Sequence, residues 1–249
     1  MAWLDRTAGG GQSGSMLQPF ATELWIADGG VADVAGFRYP TRMAVVRLAN
    51  GGLLLWSPTE MTDGLRDAVT ALGPVRHLVA PNSLHHLHLA PWKAAFPQAL
   101  LHAAPGLRER RGDLAFDADL TDAPHPDWAG QLDQVMVRGN LITTEVVFFH
   151  RAGRTALFTD LIQQFRPGWF SGWRALVARL DRMTGPEPQV PNKFRTAFID
   201  RRAARQALDR IGDWPVEKVL MAHGEPVTTG GAAFITRAFA WLRARPAAG

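Results

Sequence analysis

Between His77 and Leu89 an apolar run, His-Leu-Val-Ala-Pro, breaks into Asn82, Ser83, Leu84, His85, His86, Leu87 and His88. Three imidazoles and an amide within seven residues are the side-chain types that ligate metals and move protons. Two distant segments repeat the pattern: Ala156-Leu-Phe-Thr-Asp160 and Val219-Leu-Met-Ala-His223-Gly224 are apolar until they stop on a ligand type. If three such strands are neighbours in one sheet, their last side chains meet in the loops at its edge, where sites are built. One histidine alone is more often a satisfied polar group, so the weight rests on the joint pattern. A divalent ion in such a site acidifies its bound water to a pKa of about 7 and polarises carbonyl or phosphoryl oxygens, which makes hydrolysis the leading reaction class.

Composition narrows the options. The chain of 249 residues has no cysteine, which removes disulfides, thiolate nucleophiles and sulfur-ligated zinc or iron–sulfur centres. A content of 47% hydrophobic residues is ample for one α/β domain or two intimately packed halves. No apolar run approaches the roughly 20 residues of a bilayer span, and Met1–Phe20 lacks the apolar stretch of a secretory signal. The default is a cytoplasmic protein with no membrane partner. The net charge of +4 comes almost wholly from arginine, Lys93, Lys193 and Lys218 being the only lysines. These charges are scattered and no aromatic-interleaved RNA motif appears, so a small-molecule substrate is favoured over nucleic acid.

The elements that must position these residues follow from the chain in order. Residues 1–19, Gly- and Ser-rich over Ala8–Ser15, read as an unstructured lead or cloning remnant, and residues 20–246 as a single domain. Glu23–Ala27 is a first strand, and Arg42–Leu48 with Leu53–Trp56 makes a hairpin about Asn50-Gly51. A helix from Pro58-Thr59 to Gly73-Pro74, capped by Thr59 or Thr62, leads to the strand Val75–Ala80 and the histidine segment. A short helix after Ala90-Pro91 and a strand at Ala99–His102 follow. Gly106–Pro126 reads as a solvated connector. Leu132–Val137, Glu145–His150 and Arg154–Thr159 are strands, with Asp160 at the end of the third. Gln163–Trp173, carrying Phe165, Trp169, Phe170 and Trp173, reads as core, a packing lid, a substrate wall or a homodimer surface. A basic amphipathic helix reaches Met183, Thr184–Asn192 is a Pro-rich connector, and Ala203–Ile211 is a helix. The strand Lys218–Ala222 and a helix over Ala232–Arg243 close the chain.

Two halves, each with antiparallel strands, helices and a strand ending on a ligand type, give a mixed α/β (α+β) fold, a four-layer αβ/βα sandwich with the site at its junction. That order of elements, over nearly all of Glu23–Arg243, is similar to the metallo-β-lactamase superfamily. More narrowly, Pro81–Leu87, Phe158–Ile162 and Met221–Pro226 look like an uncharacterised branch of it, a domain of unknown function. The superfamily's first loop reads His-x-His-x-Asp-His; a later loop adds a His after a Gly, an Asp bridges two metals, and a last His completes the second site.

Carried over singly, the resemblance puts Asp160 on the bridging Asp and His223 on the last His. In one register Asn82, Leu84, His86 and Leu87 take the four positions of the first loop; with the register shifted by one, His85 and His86 fall on Asp-His instead and the preceding pair is lost. Asn140, after Gly139, stands where the later His would be. The resemblance thus implies one divalent metal, zinc before iron or manganese, on His85 or His86 with Asp160 and His223. Asn82 and Asn140 would orient water or an oxyanion, or else cap their loops. The implied activity is hydrolysis of a small ester, lactone, thioester or phosphoester. Its rivals are a non-catalytic binder that has lost metal competence and, last, a nucleic-acid-processing protein. His88 reads as a neighbour of the ligands, His77 and His150 as structural, Glu145 as a strand-end charge, and Glu225 as a helix-start acid or an orienter of the last imidazole. Nothing is assigned to His102 and His125.

Overall fold

The structure, a computed structural model, describes residues 17–34 and 36–243. Strand β1 (Gln18–Ala21) pairs with β2 (Leu24–Val34), which forms a long antiparallel hairpin with β3 (Phe37–Arg47). Gln18 and Pro19, read from sequence as part of the lead, lie in β1, while residues 1–16 lie outside the described residues. The chain returns into β4 (Leu53–Trp56) through the Asn-Gly turn, where Gly51 has φ 81° and Asn50 Oδ1 accepts Gly52 N–H at 2.9 Å. Only a residue free of Cβ takes that backbone without strain.

Helix α1 (Asp63–Leu72) is capped by Thr62, whose hydroxyl accepts Leu65 N–H, and ends at Gly73-Pro74. Strand β5 (Val75–Ala80), α2 (Leu89–Ala95), β6 (Leu100–Ala103), the short α3 (Leu107–Arg110) and β7 (Ala118–Asp119) complete the first half. Strands β1 to β7 form one seven-stranded sheet in chain order, antiparallel to β4 and parallel beyond it. A connector with a 3-10 turn at Pro126–Trp128 crosses to β8 (Leu132–Val137), β9 (Glu145–His150) and β10 (Thr155–Phe158), three antiparallel neighbours. After α4 (Gly172–Leu180), α5 (Asn192–Ala197) and α6 (Arg201–Gly212) comes β11 (Lys218–Met221), parallel to β10. Helices α7 (Gly231–Ala238) and α8 (Ala240–Arg243) follow.

Alternation along each strand decides the layers, since successive side chains leave opposite faces of a sheet. Leu54 and Trp56 of β4, with Phe148 of β9 and Leu220 of β11, pack in the core between the sheets. Leu53 and Leu55 face the other way, onto Leu65 and Val69 of α1 and Trp92 of α2. Val147, Phe149 and Met221 likewise back onto Phe194 of α5, Leu208 of α6 and Phe234 of α7. The result is helices, sheet, sheet, helices, and burial of a side chain such as Phe148 stabilises by about 1.5–3 kcal/mol.

The segment Gly106–Pro126 is more than a solvated connector. It holds α3 and β7 and buries Leu107, Phe116 and Leu120, its charges pairing locally as Arg108–Asp119 and Arg111–Asp113. Its apolar residues are spaced too widely to show a period. The closing helix is two helices, interrupted at Phe239, and the Pro-rich connector runs into α5, which carried no sequence signal.

Candidate metal centre

The loops at one end of the two sheets bring His85, Asp160 and His223 together, with one ligand atom of each within 4.8 Å of the others. His85 Nε2 lies 3.1 Å from Asp160 Oδ2, and His223 Nε2 lies 3.6 Å from Asp160 Oδ1. Donors held at about 2.0–2.2 Å by one zinc-like ion stand roughly 3–3.6 Å apart at near-tetrahedral angles. All three side chains are nearly buried, and all three line a cleft of about 580 Å³.

Each is held from behind. Pro40 O accepts His223 Nδ1–H at 2.7 Å, which places the ring's other nitrogen, with its lone pair, toward Asp160. Burial pulls His223 down to about 4, against the opposing pull of the Asp160 charge, so the ring is neutral at pH 7. Two acceptors, His223 Nε2 and a carboxylate oxygen, therefore face each other across 3.6 Å, an arrangement that a cation resolves. His85 Nδ1 is paired at 2.7 Å with the hydroxyl of Ser57. Ser57 directly follows β4 with φ 52°, a left-handed backbone uncommon outside glycine, and it is held there by its N–H to Val79 O.

Asp160 sits in a cage of donors. Burial alone would raise its carboxyl, but His85, then His223 and the Asn82 amide outweigh it and hold the group well below the usual carboxylate range. Asn82 Nδ2 donates to Asp160 Oδ2 at 2.7 Å and to Thr159 Oγ1 at 2.8 Å, and Gln163 Nε2 donates to Asp160 Oδ1 at 2.9 Å. Behind them Glu145, fully buried at the start of β9, accepts the backbone N–H groups of Thr159, Asp160 and Leu161 at 2.8–3.0 Å. Burial and the nearby Asp160 charge raise its carboxyl. Sequence reasoning took Glu145 for a strand-end charge; its one signal was a carboxylate opening an otherwise unbroken apolar strand.

The remaining expected residues lie elsewhere. His86 lines the cleft but stands apart from the three: Arg111 Nη1 donates to its carbonyl at 2.9 Å and lies 3.2 Å from its Nδ1. Asn140 is tied to the backbone, donating to Phe194 O and accepting Ile142 N–H, and does not line the cleft. Asn82 is also loop-bound, its Oδ1 accepting Leu84 and His85 N–H, so it serves the site through Asp160. His88 lines the cleft wall. Glu225 pairs with Arg166 at 2.6 Å.

The fold has close structural relatives of low sequence identity. A metallo-beta-lactamase from Pontibacter korlensis superposes with a TM-score of 0.60 at 14% identity, covering 93% of this chain and 100% of that one. The metallo-beta-lactamase FIM-1 from Pseudomonas aeruginosa, in its mono-zinc form, gives 0.57 at 11% identity, with 90% and 93% covered. The metal-soaked Flv1 flavodiiron core from Synechocystis sp. PCC6803 gives 0.61 at 11% identity; 92% of this chain is covered, and it spans 61% of that one. Comparison with curated proteins gives no match. The chain has the metallo-β-lactamase fold, and because residues 23–171, more than half of it, match the model described as Domain of unknown function (DUF4336), it belongs to that family.

Proposed function

We propose that this protein is a metal-dependent hydrolase of a small ester, lactone, thioester or phosphoester, with His85, Asp160 and His223 holding one divalent ion, zinc before iron or manganese. The observation that carries this reading is the convergence of two imidazoles and a carboxylate on one cleft, with the His223 lone pair aimed at Asp160 by the Pro40 carbonyl. The donor set of two nitrogens and one oxygen suits such an ion and leaves a position for water. When bound, the ion supplies an acidified water and a Lewis acid for the scissile carbonyl or phosphoryl group.

The chain's own residues do the rest. Asn82 and Gln163 hold Asp160 in orientation, and Pro40 fixes the His223 tautomer. Lys193 lines the cleft with its ammonium 2.9 Å from Tyr39 Oη, where it can attract an anionic substrate group or steady a developing oxyanion. Val34, Phe37, Leu84, Val177 and Met183 supply apolar walls for the body of the substrate.

The test is Asp160→Ala. Metal at this centre should be lost, and turnover of a panel of aryl esters, thioesters and phosphodiesters should fall by about 100-fold or more; hydrolysis that persists in the variant sinks the proposal. One observation favours the non-catalytic binder: Asn82, Gln163 and His85 already surround Asp160, so its oxygens have partners without an ion. Equal metal stoichiometry in wild type and Asp160→Ala after reconstitution with zinc, iron or manganese selects that reading.

A further inference from the structure

Three imidazoles outside this centre form a second group. His77 of β5 and His102 of β6 project side by side, His77 Nδ1 3.1 Å from His102 Nε2, and the connector leading to β8 lays His125 and Asp127 over them. The ring centroids of His77, His102 and His125 are 5.2, 5.3 and 5.4 Å apart, and each ring lies 4.9–5.1 Å from that of Trp128. Asp127 Oδ2 is 3.1 Å from His77 Nε2 and 3.8 Å from His125 Nδ1.

His77 Nε2 is buried and has no hydrogen-bond partner: although Asp127 Oδ2 is close, a hydrogen on the ring nitrogen would not point at it. A buried nitrogen without a partner is destabilising. With a proton on His77 Nδ1 directed at His102 Nε2, a lone pair on His77 Nε2 faces Asp127 Oδ2, two acceptors 3.1 Å apart that a cation would bridge.

We infer that His77, His125 and Asp127 form a second metal site, separate from the cleft, for a first-row divalent ion of the zinc type, with His102 orienting His77. The donor set is two nitrogens and one oxygen, which such an ion accepts, and a water completes it. His102 takes the part that a carboxylate or carbonyl plays behind many ligand imidazoles, holding the ring nitrogen that the metal does not use. The site is reached from solvent, for the side chains of Asp127 and His125 are 45% and 26% exposed while that of His77 is 1% exposed. The local cost is one hydrogen bond, the Asp127 N–H donated to His125 Nδ1 at 3.2 Å, which the ion replaces.

The role is structural. An ion here clips the connector that crosses from the seven-stranded to the four-stranded sheet onto β5, and no residue of the cleft takes part. The inference does not depend on hydrolysis or on the first centre.

The test uses chelator-treated full-length protein titrated with Zn²⁺ by calorimetry. Asp160→Ala protein should still bind one Zn²⁺ per chain, and adding Asp127→Ala with His125→Ala should weaken that binding at least about 10-fold. Both added substitutions are at solvent-accessible positions, so they spare the core. In the wild-type background the same pair should remove one equivalent, and in the Asp160→Ala background it should abolish a zinc-induced rise of about 5 °C in melting temperature at saturating metal. If folded Asp160→Ala protein takes up no Zn²⁺, or if the Asp127/His125 pair leaves stoichiometry and melting unchanged, the second site does not exist.

Discussion

Glu145 shows how much of the centre hangs on a residue that touches no substrate. Its two oxygens accept three backbone N–H groups, and these set where Asp160 points. Glu145→Gln keeps the shape but replaces an acceptor by a donor, leaving at least one buried N–H unpaired. Urea unfolding should show a loss of about 2–4 kcal/mol, and divalent-ion affinity at His85, Asp160 and His223 should fall. A variant equal to wild type in both would mean that the carboxylate does not hold the loop. At this scale the grouping was partly legible: His85, Asp160 and His223 lie in the loops that follow the apolar strands β5, β10 and β11. The choice between His85 and His86 was not, because adjacent residues point differently and the contact that separates them comes from Arg111, 25 residues away. Glu145 stayed hidden for a related reason: sequence gives neither its burial nor the N–H groups it faces.

Beyond the sheet, β2 and β3 continue as an arm over the cleft, contributing Val34, Phe37 and Tyr39. The register shifts between Asp28 and Val31, where a Cβ on Gly29 would lie 2.5 Å from Thr41 Oγ1 and Thr59 Cβ, so glycine permits the close approach. In sequence Asp28-Gly29-Gly30 looks like the end of a strand, which is why the first strand was expected to stop at Ala27. Strands without an internal glycine pair, such as Leu132–Val137 and Glu145–His150, read as they stand. The aromatic segment braces the arm: Trp169 Nε1 donates to Arg38 O at 2.7 Å, and Phe37 meets Phe170 and Trp173 edge to face. Removing both indoles, Trp169→Ala with Trp173→Ala, should make residues 33–38 more sensitive to limited proteolysis and weaken ligand binding in the cleft. Unchanged cleavage would show that the arm holds its place without them.

Taken whole, the molecule buries imidazoles in a neutral state, and this ties its stability to pH. His150 at the end of β9 is buried, its Nδ1 accepts Gly153 N–H, and burial pulls it to about 4 despite the nearby Glu23. Its folded value lies below the unfolded 6.5, so the unfolded chain binds more protons in acid. The stabilisation is therefore complete above pH 6.5 and is lost as pH falls toward about 4, on the order of 3 kcal/mol in all. His150→Asn, whose amide oxygen can accept the same N–H, should flatten the fall in urea midpoint between pH 7 and 4.5; an equally steep fall assigns the acid sensitivity elsewhere.

The joint between the halves is also a matter of time. His223 reaches back to Pro40 O, and Arg42 donates to Met221 O and to Gly224 O, spans of 179 to 183 residues. On the ribosome Pro40 O and Arg42 Nη1 are made well before the partners they meet here, which wait until β11 and the loop after it have emerged. Contacts so far apart in the chain form slowly, and the intermediate leaves strand edges exposed meanwhile. A nascent chain released before residue 223 cannot assemble the three-residue group at all. An ion captured there would mark a polypeptide made at least as far as residue 223 and closed across both sheets.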